Sequence, residues 1–476
     1  MALILPGNVA SATAAGYEVA NSCRLDGPSA YLRRTNGNET TTKITFSVWV
    51  KRGVLGSTQR IFAADGNDYM FFRFESTNAF RFNINIYGVA ESTITTNRLF
   101  RDVSAWYHLV VTWDSTQSTA ADRIKLWVNG TQETSFSAST YPAEDQTTTA
   151  INNTAANAFN IGRYETGDNE HFNGYIAEVV IATSQALAPT DFGEFDEDSP
   201  TIWKPKDVSG LTFGDNGFYL DFEASDNLGN DANGGTDFTE TNLAATDQAT
   251  DTPTNNFATL NSLDTNGNHT LSEGNLKAVY SAAAGTFGVT KGTVGVSAGK
   301  WYWEIKYTYG NAGQFGVFDV NDLDTLNTTD IYNDTSTFEG LAWRIDTSNN
   351  IKEVGTNQTA DSGMDFATGD ILGIAFDADN GKFYGFKNGA EITGQDIDAG
   401  TSLLTAVTVS DFYLPFISNG DGGSGTKTGT SEMNFGNPPY ANSSSVADAN
   451  GYGAFEYAPP SGYLALCTKN LGSTGG

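Results

Sequence analysis

Cysteine is scarce in this chain of 476 residues. The two cysteines, Cys23 and Cys467, lie near opposite ends of the sequence. Two cysteines cannot build the disulfide framework of a small secreted domain or a zinc site, and we expect both to be unpaired. Histidine is nearly as rare, and His108, His171 and His269 are scattered along the sequence. Such spacing predicts no histidine metal cluster. We therefore expect no cofactor, with calcium as the one ion that remains open.

Basic residues are also few, with 26 Lys and Arg against 56 Asp and Glu, for a net charge of −30. Neutralising phosphates requires clustered Lys and Arg, so we expect no nucleic-acid partner and no attraction to an anionic membrane. No stretch of about 18 apolar residues is present, which argues against membrane insertion. A charge of this size keeps a protein soluble and its copies apart.

The start of the chain, Met1–Pro6, carries no basic residue, and its apolar run ends after five residues. A secretory signal needs a basic start and an apolar core of about 7–15 residues. We therefore expect no signal peptide and interpret this segment as the first strand of the mature protein.

What the chain does contain is glycine, 51 residues, and aromatics, 12%, while charged residues make up only 17%. Residues that favour long helices are under-represented. The composition therefore predicts an all-β protein with many turns, in which helix is limited to short turns around Ala188–Glu194.

Residues 1–190 form the first expected domain. Apolar residues alternate with polar ones in Ile44–Lys51, Trp106–Asp114 and Ile124–Gly130, which predicts half-buried strands. Ile124–Gly130 ends in Asn-Gly, a strong hairpin signal. Phe159–Gly162 and Gly174–Ala182 add two further strands, and many short strands at this spacing indicate a sandwich or barrel.

These segments share a specific set of motifs in order: Phe-Ser-Val-Trp-Val, Trp-Tyr-His-Leu-Val-Val-Thr-Trp-Asp, Lys-Leu-Trp-Val-Asn-Gly, Ile-Gly-Arg and Phe-Asn-Gly-Tyr-Ile-Ala-Glu-Val. The set resembles a laminin-G-like, concanavalin-A-like lectin domain. The resemblance implies a jelly-roll of two antiparallel sheets. One departure is Ala177, which stands before Glu178 where the family usually has Asp.

Residues 191–255 are interpreted as a Gly/Asp/Asn-rich connector. Leu211–Phe222 predicts a β-hairpin around Asn216-Gly217, and the apolar-poor stretch Ser225–Thr254 predicts a long exposed loop.

Residues 256–476 form the second expected domain. Its motifs are Gly-Lys-Trp-Tyr-Trp-Glu, from Gly299, then Gly-Asp-Ile-Leu-Gly-Ile-Ala-Phe-Asp, from Gly369, and Lys-Phe-Tyr-Gly-Phe-Lys-Asn-Gly, from Lys382. This order resembles a SPRY domain and implies a second β-sandwich. The fold class is thus two antiparallel β-sandwich (jelly-roll) domains joined by the connector.

The combination is similar to virion proteins of marine tailed phages, because Lys204–Phe222 and Asp251–Leu260 join the two sandwiches in the pattern of those proteins. The resemblance implies a protein made in the bacterial host cytoplasm and carried on the virion. Its implied partners are other virion proteins and a host cell-surface glycan, and we expect a homo-oligomer. Tail fibre or receptor-binding adhesion protein is the first interpretation. Capsid decoration or tail architecture without a soluble ligand is the alternative.

Enzymatic chemistry finds little support. Glu194, Asp196 and Asp198 alternate as the catalytic carboxylates on a glucanase strand do, which would suit a secreted polysaccharide hydrolase. Pro200 follows them, however, so an acidic turn is the simpler interpretation and the hydrolase is the weaker one. No nucleophile, phosphate-loop or dinucleotide motif occurs, and we expect no enzyme.

The stretch that begins at Asp264 resembles a calcium-binding loop, because it has oxygen-bearing side chains at positions 1, 3 and 5 of that motif. His269 replaces the required Gly at position 6, and Asn275 replaces the Glu at position 12, so a turn is the simpler interpretation.

Two loops have the composition of a sugar-binding site, in which amide and carboxylate groups bind hydroxyls and an aromatic ring packs on the apolar sugar face. The candidate ligand-binding residues are Asp65, Asn67, Asp68 and Tyr69 in the first loop, and Tyr164, Asp168, Asn169 and His171 in the second.

Overall fold

The structure is a computed structural model that describes residues 16–473, except 36, 65, 67, 90, 153–157, 165–168, 266–267, 283–285, 311–312, 321–339, 346–350, 355–365, 403–411 and 420–426. The expected first strand, Met1–Pro6, lies outside the described residues. The chain divides into two compact units between Thr254 and Asn255. The N-terminal unit is Thr13–Thr254, and the C-terminal unit includes Asn255–Gly476.

The strands of the N-terminal unit are β1 (Ser22–Asp26), β2 (Tyr31–Arg34), β3 (Lys43–Arg52), β4 (Gln59–Ala64), β5 (Tyr69–Phe74), β6 (Ala79–Asn85), β7 (Ser92–Leu99), β8 (Trp106–Asp114), β9 (Ile124–Val128), β10 (Thr131–Glu133), β11 (Phe136–Thr140), β12 (Phe159–Ile161), β13 (Asn173–Thr183), β14 (Gly193–Phe195), β15 (Trp203–Pro205), β16 (Phe218–Leu220), β17 (Thr239–Thr241) and β18 (Gln248–Ala249). Single-turn 3-10 helices lie at Ala120–Asp122, Pro189–Asp191 and Ala245–Asp247.

Two antiparallel sheets form the N-terminal sandwich. Sheet A has the order β10-β9-β8-β3-β13-β1-β18, with β16 also paired to β13. Sheet B has the order β11-β7-β6-β5-β4-β12-β2-β17. The hydrophobic core lies between the two sheets, where Phe46 of sheet A stacks on Phe72 of sheet B with ring centroids 3.9 Å apart. The predicted alternation is confirmed, since the inward residues of β3 and β8 all contact this core.

The strands of the C-terminal unit are β19 (Leu260–Thr265), β20 (His269–Ser272), β21 (Lys277–Ala282), β22 (Gly288–Gly292), β23 (Lys300–Gly310), β24 (Gly313–Asp319), β25 (Gly340–Ile345), β26 (Ile351–Val354), β27 (Ile371–Asp377), β28 (Lys382–Lys387), β29 (Ala390–Glu391), β30 (Tyr413–Asn419), β31 (Lys427–Asn434) and β32 (Leu464–Ala465), followed by helix α1 (Thr468–Ser473).

Sheet C of this unit has the order β19-β22-β30-β24-β25-β26, and sheet D the order β20-β21-β31-β23-β27-β28-β29. All described pairs are antiparallel except β23 with β32, which are parallel. The apolar core again lies between the sheets and includes Trp301, Trp303 and Trp343. The predicted all-β, antiparallel fold class is confirmed. Helix was expected around Ala188–Glu194 alone, and that expectation is wrong, because single turns also lie at Ala120–Asp122 and Ala245–Asp247 and α1 adds six residues.

The stretch from 225 to 254 does not form the exposed loop that its composition predicted. Leu228 and Phe238 are buried in the core of the N-terminal sandwich, and β17 and β18 each extend one of its sheets. Buried Arg34 holds this stretch, because its guanidinium donates to Asp231 at 2.9 Å and lies 4.8 Å from the Phe238 ring centroid. A few apolar side chains and two buried ion pairs, Arg34–Asp231 and Lys51–Asp251, therefore order a segment that is otherwise polar.

The hairpin predicted at Asn216-Gly217 is wrong as well. β16 pairs with β13, and the preceding residues do not fold back on it. The Asn216 side chain is buried and donates to the carbonyls of Gly37 and Ile151. A Cβ on Gly217 would collide with the carbonyl of Phe213, so glycine is needed here for close packing and not for a turn.

Both cysteines are buried and neither forms a disulfide, as predicted. Among the described residues, no helix has the length and apolar character needed to cross a membrane.

Candidate functional site

Five of the eight candidate residues lie in the described part of the chain, namely Asp68, Tyr69, Tyr164, Asn169 and His171. Asp65, Asn67 and Asp168 lie outside the described residues.

Asp68 joins three loops at one end of sheet B. Its Oδ2 accepts hydrogen bonds from the Thr149 hydroxyl at 2.6 Å and from the Thr149 amide at 3.1 Å. Its Oδ1 accepts a hydrogen bond from the Tyr87 amide at 2.8 Å. Both oxygens of the Asp68 carboxylate thus accept hydrogen bonds within the protein. In a binding site, Asp68 would position Tyr87 and Thr149.

Tyr87, which the sequence analysis did not single out, is the most exposed large hydrophobic side chain among the described residues, at 79%. It lies in the connection between β6 and β7, directly beside Asp68. An exposed ring beside amide and carboxylate groups is the arrangement used to pack on a sugar. A Tyr-Gly pair between two alternating strands was the available sequence signal.

The two ends of the second loop lie next to each other. Tyr164 and Asn169 form a β-bridge, in which the Tyr164 amide donates to the Asn169 carbonyl at 2.9 Å. Glu170 follows, and its carboxylate accepts a hydrogen bond from Arg60 Nε at 2.5 Å. The Arg60 amide donates to the Glu170 carbonyl at 2.7 Å, so both the backbone and the side chain of β4 hold this loop. His171 is half-buried at its end.

One tyrosine from each predicted loop, Tyr69 and Tyr164, lies on the outward face of sheet B, beside Phe71 and Arg60. The Arg60 guanidinium lies 4.0 Å from the Tyr164 ring centroid and 4.4 Å from that of Phe71. The Tyr69 ring is nearly parallel to Phe71, at 4° and a centroid distance of 6.4 Å. Burial raises the pKa of Tyr69, with smaller contributions from Glu91 and from Tyr164, which places the two tyrosines in one electrostatic environment.

This face, which we call the sheet B face, is defined by Arg60, Tyr69, Phe71, Tyr164 and Glu170. Tyr69, Tyr164 and Glu170 are partly exposed, while Phe71 is covered. It combines aromatic rings, hydrogen-bond donors and a carboxylate, which are groups that can bind a polar ligand.

The turn expected for the acidic stretch at 194–198 begins at Asp196, whereas Glu194 lies in strand β14 and pairs with Lys204. The Asp196 carboxylate accepts hydrogen bonds from the amides of Asp198 and Ser199 and is buried. Lys204 Nζ lies 3.6 Å from both Glu194 Oε1 and Asp196 Oδ2. The carboxylates of Glu194 and Asp196 thus share one ammonium group, which neutralises part of their charge.

The calcium-like stretch is part of two strands. Asp264 Oδ1 lies 2.9 Å from the buried Lys291 Nζ, so the lysine already neutralises the carboxylate that a calcium ion would use. Asn268 donates to the Phe287 carbonyl at 2.7 Å. Asn266 lies outside the described residues. Within the described ranges, no group of three or more His, Cys, Asp and Glu side chains could hold a metal ion.

His108 and His269 are buried sheet residues. Burial lowers the pKa of His108 to about 3 and that of His269 to about 4, so both are neutral near pH 7. Trp203 Nε1 donates to His108 Nδ1 at 2.9 Å, so His108 carries its proton on Nε2, which donates to the Ser47 hydroxyl. His108 is therefore a packed residue of sheet A.

A laminin G family model, described as the concanavalin A-like lectin/glucanases superfamily, matches residues 26–191. No curated protein matches the chain. Residues 26–191 thus have the concanavalin A-like lectin fold, and both loops of the sheet B face lie within that range.

Three solved structures are similar to parts of the chain. A heptameric SAP-like pentraxin from Limulus polyphemus is 14% identical, with a TM-score of 0.28, over 36% of this chain and 80% of the pentraxin. The SPRY domain of human HERC1 is 13% identical, with a TM-score of 0.27, over 37% of this chain and 96% of that domain. A putative carbohydrate binding protein from Bacteroides ovatus is 15% identical, with a TM-score of 0.31, over 48% of this chain and 59% of that protein.

Proposed function

We propose that this chain is a non-catalytic adhesion protein that binds cell-surface glycans through the sheet B face of its N-terminal sandwich. The observation that carries the proposal is that a tyrosine from each sugar-type loop lies on one face, where Tyr69 and Tyr164 flank Arg60 and Phe71. The lectin-type fold of residues 26–191 supports it.

The site is shallow, so a single copy binds weakly. A few aromatic contacts and hydrogen bonds give dissociation constants on the order of millimolar to micromolar. Display of many linked copies raises the effective affinity by about 10²–10⁴ without any new contact. We therefore propose that the protein acts as a multivalent array.

We also propose that this array is on the virion of a tailed phage, as a tail fibre or other surface protein. The order of the lectin-like and SPRY-like sequence motifs, with the Lys204–Phe222 segment between them, supports this location. Mass spectrometry of purified phage particles, followed by immunogold labelling with an antibody to the C-terminal unit, tests it. Absence of the protein from purified particles would refute the location and leave the glycan proposal standing.

The glycan proposal is tested on an array of bacterial surface polysaccharides, with the full chain presented once as a monomer and once clustered on streptavidin. Clustered protein should bind a subset of the polysaccharides and monomer should bind poorly. Tyr69→Ala and Tyr164→Ala should each weaken clustered binding by about tenfold, because loss of one stacked ring removes about 1–1.5 kcal/mol.

Phe195→Ala is the matched control, since Phe195 is 44% exposed on the same unit and packs against Trp203, away from the sheet B face. This variant should bind like the parent. If clustered parent protein binds no polysaccharide at all, the adhesion function is wrong. Capsid decoration or tail architecture without a soluble ligand would then be the function to pursue.

A further inference from the structure

The sheet B face carries a row of arginines across three adjacent strands. Arg60 of β4 pairs with Arg73 of β5, which pairs with Arg81 of β6. All three guanidiniums surround the Phe71 ring, at 4.4, 4.6 and 5.7 Å from its centroid. Neighbouring strands are about 4.8 Å apart, so the three side chains form a continuous cationic line across the sheet.

The row continues on the other side of β4. Arg33 of β2 pairs with Asn160 of β12, which in turn pairs with Ala63 of β4. Arg163 donates to Asn160 at 3.1 Å and lies 3.5 Å from the Tyr31 ring centroid. Five of the chain's 12 arginines thus lie on one face of a protein whose net charge is −30.

Fold stability accounts for Arg60, which is buried and holds the Glu170 loop, but not for the placement of Arg73 and Arg81 beside it. Adjacent like charges on a sheet are destabilising, and partly exposed ion pairs return only about 0–1 kcal/mol. The carboxylates nearest the row are Glu75, Glu91 and Glu170, and each of their side chains is 20–38% exposed. Arg81 lies 3.6 Å from Glu91 and 3.7 Å from Glu75, distances longer than a good charged hydrogen bond.

A buried donor beneath the row also lacks an acceptor. Asn83 of β6 is fully buried next to Phe71, and its Oδ1 accepts a hydrogen bond from Arg81 at 3.4 Å. Its Nδ2 has no hydrogen-bond partner in the described part of the chain. An unmet buried donor costs about 1–3 kcal/mol, which is a second sign that stability alone did not select the residues of this face.

We infer that the sheet B face binds an acidic glycan, whose carboxylate or sulfate groups are held by Arg73 and Arg81 while Tyr69 or Tyr164 packs on a sugar ring. This inference rests on the proposed function and specifies its ligand class. Guanidiniums suit both anions, because their donor fork matches two oxygens of a carboxylate or sulfate.

Glu170 acts in this scheme as a resident competitor for the ligand. Its carboxylate bonds Arg60 at 2.5 Å and Arg73 at 3.3 Å, as a ligand anion would. Glu170 stands at a positive φ of 55°, which directs the loop back onto the row. A ligand anion must displace it from Arg73, and this requirement keeps the affinity of one site low.

The test uses matched polysaccharides that differ only in charge. Clustered full-length protein is titrated with polygalacturonate, with its fully methyl-esterified form, with dextran sulfate and with dextran. A net charge of −30 repels polyanions, so general attraction cannot produce binding to them. We expect binding at least about tenfold tighter to one charged member than to its neutral counterpart, and the pair that shows it identifies carboxylate or sulfate.

Arg81→Gln should weaken that binding by about tenfold, because one charged hydrogen bond is lost. Arg98→Gln is the control, since Arg98 lies on β7 outside the row and pairs with Glu133 at 2.8 Å. Glu170→Gln should tighten binding several-fold by removing the competing charge. Equal binding to charged and neutral forms, or an equal loss in Arg81→Gln and Arg98→Gln, would overturn the inference, and neutral glycans would then remain possible ligands. Weaker binding by Glu170→Gln would overturn the competitor role.

Discussion

The two outward faces of the N-terminal sandwich differ in what covers them. On sheet A, Trp49, Trp106 and Tyr175 are buried beneath Trp203 and Ala249 from the later part of the unit. On sheet B, Tyr69 and Tyr164 remain partly exposed around the arginine row. One sandwich therefore uses one outer face to hold its own chain and leaves the other available for a ligand.

The charged residues of the two outer faces also differ in how deeply they are buried. Lys51 on sheet A is 1% exposed and its ammonium lies 2.6 Å from Asp251, which is also buried and accepts a hydrogen bond from Trp106 Nε1. Arg73 and Arg81 on sheet B are 15% and 27% exposed, with carboxylates 3.0–3.7 Å away. A buried pair is costly to break and an exposed pair is not, so the two faces should respond differently to the same kind of substitution.

The largest effect is expected on sheet A. Asp251→Ala leaves Lys51 buried without its carboxylate and should lower the free energy of unfolding by about 3–5 kcal/mol. Denaturant unfolding followed by tryptophan fluorescence measures the change. Asp122→Ala is the matched control, because Asp122 forms an exposed pair with Lys125 at 3.1 Å, and it should change stability by less than about 0.5 kcal/mol. Similar losses in both variants would contradict the distinction between covered and open faces.

How much of this organisation is visible in the sequence depends on the range of the contacts. The strands β3 and β8 follow from alternation, and Asn129-Gly130 gives a hairpin with positive φ at both residues, 47° and 73°. These signals depend only on neighbouring residues, so they predict the strands in any fold that buries one of their faces.

The cover of sheet A is not visible in the sequence, because Trp203 and Ala249 lie far along the chain from Trp49 and Trp106, against which they pack. The burial of Phe238 is not visible either, since this residue lies in a polar stretch and is buried only in the core of the completed sandwich. The arginine row was missed for the same reason, since its members are spread over three strands and meet only through sheet register. The two sugar-type loops were found from composition because each is a local cluster.

A second effect on sheet A concerns Glu178, which lies in a bulge of β13 with a positive φ of 49°. Burial raises the pKa of Glu178 to about 8 from an ordinary 4.5, although Tyr219 donates a hydrogen bond to its carboxylate at 2.9 Å. The folded protein therefore retains a proton that the unfolded chain releases. Stability should fall as pH rises from about 4.5 to about 8, by up to about 1.4 kcal/mol per pH unit.

Glu178→Gln keeps the shape without the titration, so its stability should exceed that of the parent increasingly above pH 5 and level off above pH 8. Urea unfolding at several pH values measures the slope. Glu144→Gln, at an exposed position paired with Arg123, serves as the control and should retain the parent slope. A parallel pair of curves for Glu178→Gln and parent would show that the carboxyl ionises freely in the folded protein.

A smaller effect is expected where sheet B ends. Asp68→Ala removes the acceptor of the Tyr87 and Thr149 hydrogen bonds and should cost about 1–2 kcal/mol. Thr149→Val removes only the hydroxyl donor and should cost less. A double-mutant cycle measures their coupling, and a coupling energy near zero would mean that Asp68 does not hold the loops together.

The smallest effect is expected in the arginine row itself. Arg73→Gln removes ion pairs to Glu75 and Glu170 whose side chains are 20% and 24% exposed, and Arg60 continues to hold Glu170. Stability should change by less than about 1 kcal/mol, whereas breaking the Lys51–Asp251 pair costs several times more. Binding to the acidic glycan should nevertheless weaken by about tenfold, since Arg73 donates to the ligand only in the complex. Equal unfolding midpoints with different binding curves would separate recognition from stability on this face. A loss of stability comparable to that of Asp251→Ala would instead make the row a structural element, and the functional contrast between the two faces would no longer hold.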